Sequence, residues 1–315
     1  MANLIEVKHL KKYFETPKGL LHAVDDVSFH IKAGQTMGVV GESGCGKSTL
    51  GRTLIHLLDS TGGTIFFEGK DVTHVNAKQL YDLRADMQII FQDPYSSVNP
   101  RMTVEQTISE PLLISGRFSK KELEEETERL MDMVGVDRRL RLAYPHELDG
   151  GRRQRVGIGR ALALNPKFVV CDEPVSALDV SIQAQILNLL KSLQKELGLT
   201  YIFITHDLSV VKYFADDIGV MYLGQMVEKA SSADIFAEPL HPYTKALLSA
   251  VPVPVVGQER RKRQLIRGEI TSPVNLPDEC RFCSRCDESQ EAVCRAGNPP
   301  LREVKAGHFV ACARL

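Results

Sequence analysis

Three short runs of apolar residues stand out from an otherwise mixed pattern. They cover Thr36–Val40 (TMGVV), Phe168–Pro174 (FVVCDEP) and Thr200–Thr205 (TYIFIT), and each is typical of a buried strand. The segments Lys47–Leu58 and Ser181–Leu197 predict helices that follow the first two runs. Buried strands that alternate with helices indicate an α/β protein, in which ligands bind outside the carboxyl ends of the strands.

Other segments have the patterns of partly exposed β-structure. Leu4–Ile31 is mostly alternating and is interrupted by a turn at Pro17–Gly19. Gly62–Gly69 predicts a hairpin strand, Met87–Phe91 a short strand, and Gly219–Glu228 a closing hairpin. The chain is therefore expected to carry antiparallel β-structure besides its buried strands.

The segment Thr103–Arg141 has a helical pattern instead. Leu123, Leu130 and Val134 fall on one helical face, and the run KKELEEETER supplies a charged opposite face. This pattern predicts a helical insert whose charged side faces solvent.

The C-terminal part begins with Ala237–Ala250, which predicts a turn and a helix. Val251–Ser272 contains prolines and the basic run Arg260–Arg263, and it predicts a linker. Five of the seven cysteines follow: Cys280, Cys283, Cys286, Cys294 and Cys312. Thiolates at such spacings suit an iron–sulfur cluster or Zn²⁺.

Composition narrows the classes of function. The 315 residues are 43% hydrophobic and 25% charged, which fits one large globular domain and a small one. A formal net charge of −1 gives no reason to expect nucleic-acid binding. Met1–Lys12 lacks the apolar core of a signal peptide, and no apolar run reaches 18 residues. Any role at a membrane is therefore expected to depend on partners.

The strongest chemical motif is GESGCGKST at Gly41–Thr49, between a predicted strand and a predicted helix. It fits the phosphate-binding loop G-x-x-x-x-G-K-[ST], whose backbone N–H groups and helix N-terminus face phosphates. Lys47 is the charge for the β- and γ-phosphates, and Ser48 is a hydroxyl ligand for Mg²⁺. The predicted nucleotide contacts in the loop are Gly41, Ser43, Gly44, Cys45, Gly46, Lys47, Ser48 and Thr49.

Polar residues stand at the ends of three further predicted strands. Gln92 can touch Mg²⁺ or the attacking water, and Asp172 is placed to hold Mg²⁺ directly or through water. Glu173 can polarise a water for attack on the γ-phosphate. His206 can hydrogen-bond that phosphate or that water as a neutral imidazole. Together with the loop, these residues predict a site that hydrolyses a nucleoside triphosphate.

Two further features each allow two interpretations. Gly150 and Gly151 can open a helix whose N-terminus binds an anion, and the arginines that follow are either phosphate contacts or a solvated face. Tyr13 and Phe14 are either stacking faces for a purine ring or aromatic residues packed in the core.

In order along the chain, these segments resemble the ATP-binding subunit of an ABC transporter, from residue 4 to about 235. GESGCGKST is similar to Walker A, VVCDEP to Walker B, LDGGRRQ to the signature and SALD to the D-loop. The resemblance implies that Tyr13 stacks on adenine, that Gln92 belongs to the Q-loop and that His206 is the switch histidine. It implies an ATPase domain at 1–235, with a mixed sheet, an antiparallel β-subdomain and a helical insert at about 95–165, and an extension at 236–315.

The motifs HPYTKALLSAVP and FQDPYSSVNPRMTV narrow the resemblance to the ATPases of oligopeptide, dipeptide and nickel importers. The expected cargo is a di- or oligopeptide, and nickel or another small solute is the alternative. The resemblance implies a head-to-tail pair with a second related ATPase, beneath two membrane permease subunits at the cytoplasmic face of the cell membrane. An extracytoplasmic solute-binding protein delivers the solute, and residues 94–103 are expected near the membrane partner.

Two other classes are weaker. A non-transport ABC ATPase of DNA repair or the ribosome usually has two cassettes or a coiled-coil insert, whereas this chain has one cassette and no heptad run. A metal-sensing regulator built on an inactive ATPase is disfavoured by the intact Lys47, Asp172, Glu173 and His206.

In the resembled importers the tail often reads C-x5-C-x6-C with a last cysteine near the end, and some members bind a [4Fe–4S] cluster. Cys280, Cys286, Cys294 and Cys312 match this pattern, with one extra residue before Cys294. Cys283 is an addition that could replace a neighbour as a ligand. We therefore expect a [4Fe–4S] cluster, with Zn²⁺ as the alternative and no metal as a third outcome.

The signature departs from the usual LSGGQ, since this chain has LDGGR. Asp149 stands where a serine should donate a hydrogen bond to the γ-phosphate. A carboxylate about 4 Å from a phosphate charge costs up to roughly 4 kcal/mol at an effective dielectric constant near 20. Arg152 or Arg153 could offset this cost, as could protonation of Asp149. We expect this signature to form a weaker, slower composite site, whereas the chain's own phosphate loop is complete.

Overall fold

A computed structural model describes residues 3–93, 95, 97–250, 266, 268 and 272–315. The predicted linker at 251–272 lies for the most part outside these residues, as do Pro94 and Ser96 of the segment expected near the membrane partner. The strands are β1 Asn3–Thr16, β2 Gly19–Lys32, β3 Thr36–Val40, β4 Gly62–Phe67, β5 Lys70–Asp71, β6 Met87–Ile90, β7 Phe168–Asp172, β8 Thr200–Ile204, β9 Asp217–Tyr222, β10 Gln225–Ser231, β11 Arg302–Lys305 and β12 His308–Val310.

The helices follow the same numbering. They are α1 Lys47–Leu54, α2 Ala77–Asp86, α3 Val104–Ser115, α4 Lys120–Met133, α5 Gly150–Leu162, α6 Val180–Leu197, α7 Leu208–Phe214, α8 Ser232–Ala237, α9 Pro242–Ala250 and α10 Glu291–Cys294. A short 3₁₀ turn at Cys283–Arg285 lies among the C-terminal cysteines.

The described chain forms two compact units. Unit 1 joins residues 1–74 to residues 203–315, and unit 2 contains residues 75–202. Unit 1 thus holds the phosphate loop and the five C-terminal cysteines, whereas unit 2 holds Gln92, Asp172, Glu173 and the signature. The predicted boundary between residues 235 and 236 stays a prediction.

Unit 1 contains the antiparallel sheet that the sequence predicts, in the order β2-β1-β4-β5. It also contains a sheet of mixed direction, because β3 pairs in parallel with β9 whereas β9, β10, β12 and β11 pair antiparallel. All five residues of β3 are buried, as a strand covered on both faces requires. The β9–β10 turn is tight because Leu223 and Gly224 both have positive φ, 44° and 79°.

Unit 2 contains a parallel pair, β6 and β7, in which Met87 is opposite Phe168 and Ile90 opposite Cys171. All five residues of β7 are buried. The predicted helical segment contains α3 and α4, each of which begins with a capping box. Leu130 and Val134 are buried, as the pattern predicts.

The sequence-based boundary of α1 was wrong. The predicted helix ran to Leu58, whereas α1 ends at Leu54. His56 has a left-handed φ of 57°, and the N–H of Leu57 donates to the carbonyl of Arg52 at 2.9 Å. Together these features form a helix C-cap that usually has glycine at the left-handed position. Because His56 stands there instead, the sequence did not predict the end of the helix.

Candidate nucleotide site

The loop after β3 has a backbone that only glycine can provide. Gly41 and Gly46 have φ of 154° and 104°. A Cβ atom at Gly41 would lie 2.2 Å from the carbonyl oxygen of Met221, and one at Gly46 would lie 1.9 Å from that of Ala23. The glycines therefore let the loop turn tightly between β3 and α1, as a phosphate-binding loop requires.

Lys47 lies inside this loop and is only 4% exposed. Its ammonium Nζ donates to the carbonyl oxygens of Gly41 at 2.8 Å and Glu42 at 2.9 Å. Cys45 is also buried, and burial raises the pKa of its thiol, so the thiol is neutral at pH 7. A buried ammonium in a cradle of glycines fits the phosphates of a nucleotide.

The remaining loop residues surround this centre. Ser43 and Gly44 are exposed at the tip, and a Cβ atom added to Gly44 would meet nothing within 4 Å. Ser48 and Thr49 are half-buried in the first turn of α1. The predicted phosphate contacts thus form one continuous surface around the start of α1.

Tyr13 is half-buried in β1, so the structure does not place it in the core. Its hydroxyl donates to Asp25, and its ring centroid lies 4.3 Å from that of His22 at an angle of 32°. Burial, followed by the hydrogen bond to Asp25, raises the pKa of the phenol well above its usual value. The ring is thus held in one orientation by polar bonds, and its stacking on adenine stays a prediction.

His206 follows the end of β8 and is exposed. The N–H of the preceding Thr205 donates to the carbonyl of Val39 in β3 at 3.2 Å. The Asp207 carboxylate caps α7 by accepting the N–H of Ser209 at 2.8 Å. The histidine therefore stands in a fixed turn beside the strand that leads into the phosphate loop.

In unit 2, Gln92 and Glu173 are brought together. Each lies two residues beyond the paired positions Ile90 and Cys171 of β6 and β7. The Gln92 Nε2 amide donates to Glu173 Oε2 at 2.9 Å. The preceding Asp172 is 1% exposed. Two predicted catalytic residues thus share one edge of the parallel pair.

Glu173 also has an unusual backbone, with a left-handed φ of 48°. A non-glycine residue in this region stores strain that the surroundings must hold. The carbonyl of Glu173 accepts the N–H of Ser176 at 3.2 Å and its hydroxyl at 3.1 Å. These bonds fix the turn and hence the direction of the Glu173 carboxylate.

The signature helix α5 begins at Gly150 and is capped by Asp149. A Cβ atom at Gly150 would lie 3.0 Å from Leu178, and one at Gly151 would lie 2.7 Å from Ile182. The two glycines are therefore needed for close packing against the turn before α6 and against α6 itself. A role at a phosphate would come in addition to this packing.

The five C-terminal cysteines are free and lie near one another. The N–H of Cys280 donates to the carbonyl of Cys294 at 2.8 Å. Burial, with the neighbouring thiols of Cys294, Cys312 and Cys283, raises the pKa of Cys280 to about 11. Among the described residues, however, no group of three or more cysteine, histidine or carboxylate side chains is arranged to hold a metal ion. The structure therefore does not support the predicted cluster.

Two carboxylates, Glu42 in the loop and Asp25 in β2, were not predicted as part of the site. Glu42 pairs with Arg285 and Asp25 pairs with Arg281. The partners are 243 and 256 residues apart, so no local pattern relates them. The only available signal was that Glu42 stands inside the phosphate-loop motif.

The buried lysine, the glycine cradle and the strand-ending acids define a P-loop protein of the α/β class. Residues 24–176 match the family model for ABC transporters, and residues 227–294 match that for the C-terminal region of oligopeptide/dipeptide transporters.

Curated relatives and solved structures agree with these matches. Oligopeptide transport ATP-binding protein AppF of Bacillus subtilis is 47% identical over 98% of this chain and 96% of its own length, and OppF of the same organism is 49% identical over the same shares. CbiO1 of Clostridium perfringens, part of the ABC transporter complex CbiONQ, superposes with a TM-score of 0.68 at 29% identity, covering 76% of this chain and 92% of CbiO1. The dimeric ATP-binding cassette MJ0796 bound to ADP and Pi gives 0.67 at 28% identity, covering 72% and 98%. The chain belongs to the family of oligopeptide transport ATP-binding proteins of ABC transporters.

None of the helices in the described part of the chain has both the length and the apolar character needed to cross a bilayer.

Proposed function

We propose that this chain is the ATP-hydrolysing subunit that drives an importer of di- and oligopeptides. The observation that carries the proposal is the combination of an intact phosphate loop with a C-terminal region of the oligopeptide/dipeptide transporter type. Relatives of nearly the same length are named for oligopeptide transport. Peptide is therefore favoured over nickel or another small solute as the cargo.

In this proposal the loop binds the triphosphate of ATP through its N–H groups and Lys47, and Tyr13 stacks on adenine. Ser48, Gln92 and Asp172 are the residues that would hold Mg²⁺, which supplies positive charge to the phosphate oxygens. Together, these residues would hold the nucleotide in one orientation.

Glu173 is proposed as the general base that accepts a proton from the attacking water. Gln92 donates a hydrogen bond to its carboxylate at 2.9 Å, which holds the base in one orientation. His206 is proposed to donate to the γ-phosphate or to orient the water. The products are ADP and inorganic phosphate.

The assembly follows from the family. We propose that the chain pairs with a second related ATPase and contacts two permease subunits at the cytoplasmic face of the membrane. The solute-binding protein would act on the other side, without touching this chain. Because transporters of this family close on ATP and reopen after hydrolysis, the chemical step would set the direction of the cycle.

The test replaces Glu173 with glutamine in the assembled transporter. We expect ATP to bind as in the wild type while its hydrolysis falls by roughly 10²- to 10⁴-fold, because a positioned base contributes about that much. Peptide uptake into proteoliposomes should fall with hydrolysis. Lys47→Ala should lose ATP binding itself.

The matched control is Glu125→Gln, which removes an exposed carboxylate of α4 that pairs with Lys121. Wild-type rates are expected for it. Unchanged hydrolysis and uptake in Glu173→Gln would overturn the proposal, and uptake of nickel but not of a peptide panel would replace the cargo.

The metal of the C-terminal region is a separate proposal. It rests on five thiols at 280–312 that lie within one compact unit, and it requires their side chains to rearrange around a [4Fe–4S] cluster or Zn²⁺. Protein purified without oxygen should be brown and contain iron, and Cys280→Ala should bleach it. A colourless preparation with one zinc would select the alternative, and one without metal would remove both.

A further inference from the structure

Two buried arginines of the cysteine turn, residues 280–286, reach the elements of the nucleotide site. The side chains of Arg281 and Arg285 are each 6% exposed, and each pairs with a carboxylate. All of these residues belong to unit 1. Ion pairs thus connect the cysteine turn to the part of the chain that is proposed to bind phosphate.

Arg285 holds the phosphate loop by a two-pronged ion pair. Its Nη1 lies 2.8 Å from Glu42 Oε2, and its Nη2 lies 3.2 Å from Glu42 Oε1. The Tyr222 hydroxyl accepts a further bond from Nη1 at 3.2 Å, and the backbone N–H of Glu42 donates to the Tyr243 hydroxyl at 2.9 Å. The pair raises the pKa of Arg285 above its usual value. The carboxylate and the backbone N–H of Glu42 are therefore both held in place.

The carbonyl of Glu42 in turn accepts the bond from Lys47 at 2.9 Å. A displacement of Glu42 would therefore move one of the two carbonyls that position the phosphate-binding ammonium. The ion pair with Glu42 thus gives Arg285 an indirect influence on Lys47.

Arg281 makes an equivalent connection to the other side of the site. Its guanidinium donates to Asp25 and, at 2.5 Å, to the carbonyl of Leu223. Asp25 also accepts the Tyr13 hydroxyl and lies 3.0 Å from His22 Nδ1. The aromatic ring proposed to stack on adenine is therefore oriented by a carboxylate that Arg281 holds.

Phe282, which lies between the two arginines, is buried and fixes the position of the turn. Its ring centroid lies 5.3 Å from that of Tyr222 and 5.4 Å from that of Tyr243. A two-pronged guanidinium–carboxylate pair has a fixed geometry, and one buried partner left alone is strongly unfavourable. We therefore expect the cysteine turn and the phosphate loop to move together.

We propose that Arg285 and Arg281 are positioning residues of the ATP site, so that the cysteine turn of the C-terminal extension sets the geometry of the phosphate loop and of the adenine platform. The inference rests on the proposed ATP binding and extends it to a segment outside the recognised motifs. Because coupling between two sites is reciprocal, ATP must also stabilise the turn.

The test is a double-mutant cycle on the affinity for ATP, measured with a fluorescent analogue. Arg285→Gln and Glu42→Gln should each weaken binding roughly tenfold, a change of about 1.4 kcal/mol. The double variant should be no weaker than either single variant, because the two residues act through one contact. Arg285→Lys keeps the charge without the fork and should fall between wild type and Arg285→Gln.

Arg314→Gln is the matched control. Arg314 lies in the same extension and pairs with Glu288 at 2.6 Å, not with a residue of the loop. Its loss removes the same charge and should leave the affinity for ATP unchanged. An equal loss in Arg314→Gln would show that general destabilisation, not positioning, is the cause.

A second readout uses hydrogen exchange in the wild type. Bound ATP should slow the exchange of the amides of Cys283, Arg285 and Cys286, and Glu42→Gln should abolish this protection. A purely structural ion pair would not transmit ATP binding to the turn.

The outcomes separate the two claims. If wild type fails to bind ATP, the proposed function falls, and this inference with it. If wild type binds ATP but folded Arg285→Gln binds within twofold of it and the turn is not protected, only the inference is overturned. If neither variant folds, hydrogen exchange of the wild type decides alone.

Discussion

At the scale of single residues, Asp149 has a local role that its place in the signature did not reveal. Its carboxylate accepts the N–H of Arg152 at 2.7 Å, and the Arg152 Nε lies 3.4 Å from its other oxygen. Arg153 is buried and donates to the carbonyls of Pro145 and Leu148 instead. Of the two arginines expected to offset the carboxylate, Arg152 is therefore the one that contacts it.

We expect Asp149→Ser to raise ATP turnover of the assembled transporter several-fold. Serine can cap α5 as well as aspartate, so stability should change little, while the repulsion of the γ-phosphate is removed. The effect is well below the full Coulomb cost because Asp149 is 59% exposed and screened by solvent. The measurement is steady-state ATPase activity with the companion subunits, and Arg152→Gln should act in the opposite direction. Turnover unchanged by Asp149→Ser would contradict the idea.

The residues of the candidate site fall into two groups, according to whether they are recognised from neighbouring residues or from contacts distant along the chain. The positions of Lys47, Gln92 and Glu173 beyond buried strands were predictable from the apolar runs that precede them, and their roles at a nucleotide stay predictions. Glu42 and Arg285 were not predictable, because their pairing depends on the close approach of segments 243 residues apart. A motif identifies residues that are expected to contact the ligand, but it carries no information about the residues that position them.

At the scale of elements, the buried strands were the most predictable feature. β3 matches its predicted bounds, and β7 and β8 lie within theirs, because continuous apolar runs have few other stable solutions in water. β11 and β12 were not predicted. β11 consists of Arg302–Lys305, which is mostly charged and exposed, and it is a strand only because β12 pairs with both it and β10.

The start of α9 illustrates how a buried polar element is satisfied. His241 is 1% exposed, and its Nδ1 accepts the N–H of Tyr243 at 3.1 Å. The carboxylate of Glu228 accepts the backbone N–H groups of Leu240 and His241 and lies 2.7 Å from His308 Nε2. Burial, with a smaller effect of Lys245, lowers the pKa of His241 to about 3.

This shift predicts a pH dependence of stability. Because the unfolded histidine has a pKa near 6.5, it gains a proton before the folded one does. The contribution of His241 is therefore complete above pH 6.5 and is lost as the pH falls toward 3. Between pH 7 and pH 5 we expect a loss of about 2 kcal/mol in the free energy of unfolding.

The check is denaturant unfolding of wild type and His241→Asn at both pH values. Asparagine can accept the same N–H at the helix start but does not titrate, so the variant should lose less stability between pH 7 and pH 5. Equal losses in the two proteins would show that His241 does not set this dependence.

At the scale of the whole molecule, unit 1 is assembled from both ends of the chain. Residues 203–315 join residues 1–74, and Asn275 of the C-terminal part accepts the N–H of Leu20 and donates its own N–H to the Leu20 carbonyl in the β1–β2 hairpin. The family identified the C-terminal region as a characteristic extension. What the fold adds is that this region packs in the same compact unit as the phosphate loop.

The sequence alone determined the buried strands, the glycine-rich loop, the polar residues at the strand ends and the family, because each depends on residues close together along the chain. Only the tertiary structure decided which carboxylates the arginines of the cysteine turn would hold, and that charged residues near the C-terminus would extend a sheet. Those contacts form between segments that sequence spacing does not relate. Their energies come from burial and fixed geometry, which exist only once the chain has folded.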